Sequence, residues 1–332
     1  MFLIQSYSTA ILFCIITMLC WGSWANTTKL SSPGWRFELF YWDYALGILL
    51  LSIIMAFTMG SIGDTGRPFL EDLKQADNSN LISAFIGGVV FNIANILLVS
   101  AIALAGMAVA FPVGIGIALI LGVIVNYSGN PQGNAVLLFG GVALIAMAIL
   151  INANAYKQVN KGQSTFSAKG LILAIVAGVL MGFFYRYVAA SMASNFEVPD
   201  SGKLTPYTAL VLFATGVVVS NFLFNGLLMR FPFAGAPLSI KDYFNGSAKD
   251  HLIGILGGMI WHVGMSFNII ASGKAGAAIS YGLGQGATVI AAIWGIFIWK
   301  EFANASKATY RNLYLMLGLY VIGIVLIILA KQ

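Results

Sequence analysis

Long apolar stretches separated by short polar links are the main feature of the sequence. A charge-poor stretch of about 20 residues is long enough to cross a bilayer as a helix. Ten such stretches are present, and each predicts a membrane-spanning helix. The predicted spans are residues 9–28, 37–59, 81–103, 106–127, 134–155, 169–190, 206–229, 250–271, 275–298 and 311–330. The links between them are too short to hold a soluble domain.

Composition supports an all-α membrane protein. Hydrophobic residues make up 59% of the chain and charged residues 8%, with a mean hydropathy of +0.90. A soluble domain carries roughly a quarter charged residues, so this chain cannot cover itself with a hydrated surface. The net charge of +6 comes from basic residues scattered through the links, and no nucleic-acid partner is expected.

The basic residues also predict an orientation in the membrane. Of the 17 lysines and arginines, eleven fall in the links after spans one, five, seven and nine, and five fall on the opposite face. The face that is richer in basic residues is usually cytoplasmic. Both termini are therefore expected outside, in a plasma (inner) membrane.

One segment of the sequence is nearly repeated. The stretch AGMAVAFPVGIG at residues 105–116 recurs as AGAAISYGLGQG at residues 275–286, which is 170 positions further on. The same ungapped offset places the glycine pair 87–88 on the pair 257–258. A fixed offset over about 35 residues favours an internal duplication. Chance alignment of two apolar helices rich in glycine and alanine is the alternative.

The spacing of the copies predicts their relative direction. They lie five spans apart, an odd number, so they must cross the bilayer in opposite directions. We expect two inverted five-helix repeats: residues 1–156, a cytoplasmic connector at 157–168, and residues 169–332. Transporters with inverted repeats bind their substrate near the bilayer midplane. Pro112 and its equivalent Gly282 are expected to interrupt spans four and nine.

These features resemble a known group of transporters. The very short link between spans three and four, together with WKEF at 299–302, resembles the ten-helix drug/metabolite transporter superfamily. The stretches ILFCIITMLCWGSWANTTKL at 11–30 and FYWDYALGILLLSIIMAFTMG at 40–60 are similar to ureide permeases and the related glucose/ribose porters. The wider group includes the L-rhamnose–proton symporter. The resemblance implies proton-driven uptake of a small neutral polar solute, with no bound cofactor.

One departure from the ureide permeases concerns the link between spans five and six. Plant members carry a long cytosolic insert there, with a phosphate-loop-like motif. In this chain the link, YKQVNKGQSTFSAKG at 156–170, is short and lacks that motif. A nucleotide-binding role is therefore not expected.

Ionisable residues inside a bilayer are costly and are candidates for function. The sequence contains four: Glu38, Asp43, Arg186 and His262. Asp43 is the first candidate for proton coupling, because it lies roughly 10 Å into span two, and ureide permeases also have an aspartate between aromatic residues there. A structural aspartate paired with Arg186 or a helix end is the alternative. Glu38 is the second candidate, with an interfacial ion pair to Arg36 as its alternative.

Polar residues in the repeated segment are candidates for binding the solute. Asn92 and Asn95 share one face of span three, and the offset of 170 makes His262 the equivalent of Asn92. Gln285 lies in the glycine-rich part of span nine. These groups offer donors and acceptors to an uncharged solute. Hydrogen bonds that only join neighbouring helices are the alternative.

Three tryptophans are further binding candidates. A flat indole suits the apolar face of a sugar and the π-face of a nitrogen heterocycle. Trp21 and Trp24 lie three residues apart near the cytoplasmic end of span one, and Trp261 lies in span eight. An interfacial aromatic belt is the competing interpretation.

A secondary transporter is the function that the sequence favours. An intramembrane enzyme has little support, because the chain has only two histidines, no HExxH, no GxSxG and no clustered carboxylates. A channel would need rings of charge or a carbonyl filter, and neither is visible. A monosaccharide of the glucose, ribose or rhamnose class is the favoured substrate. A ureide, nucleobase or nucleoside is the alternative, followed by export of a drug or metabolite. The expected partners are the solute and the bilayer, and a monomer is expected.

Overall fold

The computed structural model describes residues 1–159, 167–303 and 305–331. These residues form an all-α protein with ten helical segments long and apolar enough to cross a membrane, which confirms the predicted fold class. The helices are α1 Tyr7–Ser23, continued by a 3-10 segment Trp24–Leu30, α2 Phe37–Phe57, α3 Phe69–Gln75, α4 Asn78–Ala105, α5 Met107–Gly129, α6 Ala135–Val159, α7 Ala168–Ser191, α8 Pro206–Arg230, α9 Ile240–Phe244, α10 Ala248–Ala275, α11 Ala277–Gly284, α12 Ala287–Ile293, continued by a π segment Trp294–Ile298, and α13 Lys307–Leu329.

Serine caps set the start of several helices. The side chains of Ser6, Ser167 and Ser306 each accept a hydrogen bond from the backbone N–H three residues later. Ser247 and Asp250 form a reciprocal capping box at the start of α10. The caps lie outside the apolar stretches, so α10 and α13 begin a few residues before the predicted spans.

Two equivalent glycines explain the repeated Ala-Gly pair. Gly106 joins α4 to α5 with φ 78°, and Gly276 joins α10 to α11 with φ 87°. This left-handed region disfavours residues with a Cβ, so glycine allows a one-residue turn between two spans. The duplicated sequence therefore builds the same tight helix–turn–helix twice.

Helix packing follows the duplication. α4 packs on α7 and α8, and its equivalent α10 packs on α1 and α2. The last helices of the two repeats, α6 and α13, pack on each other. These helix contacts of one repeat thus have counterparts in the other.

Close contacts between glycines and backbone carbonyls show the same symmetry between individual residues of the two repeats. Four glycines each lie against a carbonyl of the crossing helix so closely that an added Cβ would overlap it. The contacts are Gly88 with Phe213, Gly258 with Tyr44, Gly216 with Phe85, and Gly47 with Ile255. A residue of α4 and its equivalent in α10 are 170 positions apart in the sequence. A residue of α2 and its equivalent in α8 are 169 positions apart. The two repeats therefore share the same crossing geometry.

The boundaries of the repeats remain predictions. Residues 160–166 of the expected connector at 157–168 lie outside the described residues. The limits 1–156 and 169–332 fall near the end of α6 and the start of α7.

The helix interruption in the second repeat lies at Gln285 and Gly286, between α11 and α12. α11 continues through Gly282, three residues before this point. In the first repeat, α5 continues through Pro112 without a break. Span nine is thus divided where its equivalent, span four, is continuous.

Candidate functional site

A cavity of about 300 Å³ lies between the two repeats. Most of its wall is aromatic or aliphatic, as is usual for a small-molecule site. Its aromatic residues come from both repeats, and they are Trp21, Trp24, Phe37, Phe91, Phe111, Phe184 and Trp261.

Trp21 and Trp261 form one wall of the cavity. Their rings stack with centroids 5.8 Å apart, and the Trp21 indole N–H donates to the Trp261 carbonyl at 3.1 Å. Phe91 is the repeat equivalent of Trp261, and the centroids of the two rings are 4.3 Å apart. The wall is therefore built by Trp21 and Phe91 of the first repeat and Trp261 of the second, at the boundary between the repeats.

A few polar groups line the cavity. Asn95 lines it and donates from Nδ2 to the Tyr41 hydroxyl at 3.2 Å. Gln285 lines it from the interruption in span nine. Thr288 lies one turn further, and its hydroxyl accepts a hydrogen bond from Tyr320 at 2.6 Å. With Thr28, which also lines the cavity, two amides and two hydroxyl residues thus lie among otherwise apolar surfaces.

Two of the candidate residues lie away from this cavity. Asn92 is fully buried against α8, where its Nδ2 donates to the Ser220 hydroxyl at 2.9 Å. His262 is also fully buried, and neither ring nitrogen has a hydrogen-bond partner in the described structure. The structure therefore brings together Asn95, Gln285 and the three tryptophans, and leaves this pair within the helix packing.

The cavity opens toward one membrane face. We call the face with the links after spans one, three, five, seven and nine the basic face, and the face with both termini the terminal face. Thr28, Phe37 and Ile102 line the cavity at helix ends on the basic face. A neighbouring cavity of about 240 Å³ shares lining residues with it and reaches Lys29 and Glu301, also on the basic face.

Polar contacts close the terminal face. The Tyr207 hydroxyl donates to the Phe2 carbonyl at 3.0 Å, and Arg67 donates to the Pro199 carbonyl at 2.9 Å. The Lys274 ammonium pairs with Glu197 at 2.8 Å. We infer from the lining residues and these contacts that the conformation is open to the basic face and closed to the terminal face.

Asp43 belongs to a different cluster, near the basic face. Its Oδ1 accepts a hydrogen bond from the Tyr243 hydroxyl at 2.7 Å, and its Oδ2 lies 2.8 Å from Nδ1 of His251. The Asp43 side chain is 3% exposed and that of His251 is 24% exposed. Burial, together with the hydrogen bond to Asp43, raises the pKa of the Tyr243 phenol, so the phenol stays a donor. We call these three residues the Asp43 triad.

The other charged candidates have separate surroundings. Glu38 forms an ion pair with Arg36 at the start of α2, beside a cavity of about 160 Å³. Arg186 makes no salt bridge within the part of the chain that the structure describes, so the partner of Asp43 is His251.

Sequence reasoning missed Tyr243 and His251. A signal was available in the repeat register, where Asp43, Tyr243 and His251 correspond to Leu212, Leu73 and Leu81. Those leucines pack against the hydrophobic core near the terminal face. Three polar residues thus replace three leucines in one repeat only, and a comparison of the two copies identifies them as a group.

The fold and the cavity define a multi-pass membrane permease for small solutes. The sequence profile of the ureide permease family matches residues 40–168 and 156–330. The chain belongs to the ureide permease family. It is a transporter and not an enzyme.

Individual relatives agree with this family. The chain is 24% identical to ureide permease 1 of Arabidopsis thaliana, over 98% of this chain and 97% of that protein. It is 25% identical to ureide permease 2 of the same organism, over 97% of this chain and 96% of that protein. It is 27% identical to a protein of Listeria innocua named "Putative sugar uptake protein", over 75% of this chain and 78% of that one. A solved crystal structure shares the fold at a TM-score of 0.59 and 15% identity, covering 97% of this chain and 98% of that chain.

Proposed function

We propose that this protein imports a small neutral solute of the ureide or nucleobase class by alternating access, coupled to protons. The observation that carries this proposal is the aromatic cavity with two amide side chains, in a chain of the ureide permease family. The monosaccharide that the sequence favoured has less support from the relatives than this alternative.

The chemistry of the cavity fits a flat solute that carries N–H and C=O groups. Indole and phenyl faces stack on a planar ring or a planar urea group. Amide side chains such as Asn95 and Gln285 offer both a donor and an acceptor, which matches the alternating donors and acceptors of a ureide. No charged side chain lines the central cavity among the described residues, which supports an uncharged substrate.

A monosaccharide is the second candidate. The Listeria relative named for sugar uptake favours it, and a sugar also presents an apolar face that stacks on tryptophan. A sugar differs in offering only hydroxyl groups. The hydroxyl groups around a sugar ring would hydrogen-bond to the same amide side chains, although the ring is not planar.

Counterflow in proteoliposomes tests the substrate class. Vesicles containing the purified protein are loaded with unlabelled solute, and the entry of labelled allantoin, uracil or glucose is measured without any ion gradient. We expect transient accumulation of allantoin or uracil, which excess glucose does not suppress. Accumulation of glucose alone would support the second candidate instead.

We propose Asp43 as the proton-coupling residue. Its two neighbours can stabilise the carboxylate after a proton has left, because a phenol and an imidazole N–H both donate to it. His251 is partly exposed and offers the proton a route to solvent at the basic face. The absence of an equivalent acid in the other repeat supports a role that differs between the two membrane faces.

The transport cycle follows from these positions. Proton binding neutralises Asp43 while the cavity faces the terminal side, so that the loaded protein crosses to the open state seen here without an unpaired buried charge. Solute then leaves through the basic face, and Asp43 loses its proton through His251. If the basic face is cytosolic, as the distribution of lysine and arginine favours, this cycle is import with both termini outside the cell. Labelling of a cysteine added at the N-terminus by an impermeant reagent applied to intact cells tests this orientation.

A further inference from the structure

The short helices α3 and α9 are equivalent by sequence but differ in their contacts. α3 lies in the link between α2 and α4 on the terminal face, and α9 lies in the link between α8 and α10 on the basic face. The offset of 170 places Asp72 of α3 on Asp242 of α9. The same offset matches the caps of the following helices, Asp77 and Ser247.

On the closed terminal face, Asp72 attaches α3 to the first residues of α8. Asp72 is fully buried, and its Oδ2 accepts hydrogen bonds from the backbone N–H of Thr205 at 2.8 Å and from its hydroxyl at 3.0 Å. The Arg67 guanidinium compensates the buried charge, since Nη1 donates to Oδ1 at 2.9 Å. A carboxylate, a hydroxyl and a guanidinium therefore hold this helix in place.

On the open basic face, Asp242 makes only local contacts. Its Oδ2 accepts from the backbone N–H of Ser239 at 2.6 Å and from its hydroxyl at 2.8 Å, within the capping box of α9. None of the residues of α9 is buried. The bond from the Ser239 backbone lowers the pKa of Asp242, so the carboxylate is charged at neutral pH.

The repeat register identifies the missing partner. Thr205 is the N-cap of α8, and the residue 169 positions earlier is Arg36, the N-cap of α2. The position that supplies a hydroxyl to Asp72, Thr205, therefore holds a cation, Arg36, in the repeat that contains Asp242's partner helix. The link of Asp242 supplies a hydroxyl, from Ser239, where the link of Asp72 supplies the cation Arg67. A carboxylate, a hydroxyl and a guanidinium are therefore present in the links of both faces.

Arg36 is already close to the link that leads to α9. Its guanidinium donates to the carbonyls of Ala234 and Ala236 and pairs with Glu38. A guanidinium has five N–H donors, so Arg36 can bind a second carboxylate while it keeps Glu38.

We infer that Arg36 and Asp242 form an ion pair when the basic face closes, and that α9 is the gate helix of that face. In an inverted repeat, the contacts that close one face are reproduced by the equivalent residues of the other repeat when the opposite face closes. In the conformation seen here α9 contacts α2 through Tyr243, while the Asp242 carboxylate bonds only to Ser239, so the pair is absent. Tyr243, the residue after Asp242, joins the same helix to Asp43. The inference concerns the conformational change and holds for any substrate.

Cysteine labelling measures this closure without substrate. In a background with Cys14 and Cys20 replaced by serine, Thr28→Cys provides a reporter that is reached from the basic face when the cavity is open. We expect Asp242→Asn to raise the labelling rate two- to fivefold, the range for the loss of one exposed ion pair. The amide oxygen of asparagine at position 242 can still accept the capping-box hydrogen bond from the Ser239 N–H. Lys241→Gln, the matched control on the same helix, should leave the rate unchanged.

A double-mutant cycle isolates the pair. In an Arg36→Gln background, Asp242→Asn should have no further effect on labelling, because its partner is already gone. An equal increase in both backgrounds would overturn the ion pair. An Arg–Asp pair bridges more than the Cα–Cα distance of about 4.4–6.8 Å that a direct disulfide allows, so a bifunctional methanethiosulfonate reagent is used. Cross-linking an Arg36→Cys, Asp242→Cys protein with it should also stop transport until a reductant is added. Failure to cross-link, or cross-linking with transport intact, would overturn the gate. The labelling results do not depend on which solute is carried, so their outcome is separate from that of the proposed function.

Discussion

The indole N–H of Trp21 donates to the backbone carbonyl of Trp261, and the two rings stack 5.8 Å apart. This contact joins the first helix of one repeat to the third helix of the other. It places an aromatic wall of the cavity directly on the boundary between the two repeats. A solute held against this wall contacts both halves of the protein, as alternating access requires.

Asn95 and Asn92 make a matched pair for testing the binding site. They lie three residues apart on α4, but Asn95 lines the cavity whereas Asn92 bonds to Ser220 inside the helix packing. We expect Asn95→Ala to raise the KM for counterflow about fivefold, which corresponds to one neutral hydrogen bond. Asn92→Ala should lower thermal stability and leave KM unchanged. Equal changes in KM for both variants would argue against this cavity as the binding site.

The glycine contacts between helices predict an effect on stability. An added methyl group at Gly258 would overlap the carbonyl of Tyr44, and backbone atoms cannot move aside as a flexible side chain can. We expect Gly258→Ala to destabilise the protein by about 1–3 kcal/mol and to lower its thermal unfolding midpoint in detergent. Gly226→Ala is the control, because nothing lies within 4 Å of the added Cβ. Comparable midpoints for the two variants would contradict the close helix crossing.

Asp72 should have the opposite conformational effect to Asp242. Its contacts with Thr205 and Arg67 exist in the state that is open to the basic face. Asp72→Asn leaves Arg67 without its buried partner and should favour the state closed to the basic face. Labelling of the Thr28→Cys reporter should therefore become slower. A faster rate would show that these contacts do not stabilise the open state. Thermal unfolding of the variant checks that it remains folded.

The sequence predicted the helices and their symmetry because both depend on local or periodic signals. Apolar length defined the ten spans, and the fixed offset between glycines paired the two repeats. The contacts of Asp43 were not predictable in the same way. Tyr243 and His251 are 200 and 208 residues away in sequence, so only the packing of α9 and α10 against α2 brings them to it.

Helix rotation explains why the candidate binding residues separate in the structure. Trp261 and His262 are adjacent in sequence, but neighbouring residues on a helix point about 100° apart. Trp261 therefore faces the cavity, while His262 is buried in the helix packing. The sequence predicted interruptions at Pro112 and Gly282, but both helices continue through these residues. Span nine is interrupted instead at Gln285, which is itself a cavity residue.

Concentrative uptake under an imposed pH gradient is the most direct test of proton-driven import through Asp43. Proteoliposomes with wild-type protein, Asp43→Asn or Glu38→Gln receive an inward proton gradient, and accumulation of labelled allantoin or uracil is followed. We expect accumulation by wild type and Glu38→Gln, and none by Asp43→Asn, which should still perform counterflow because its cavity is unchanged. Accumulation by Asp43→Asn at the wild-type level would contradict the account and would make Asp43 a structural residue.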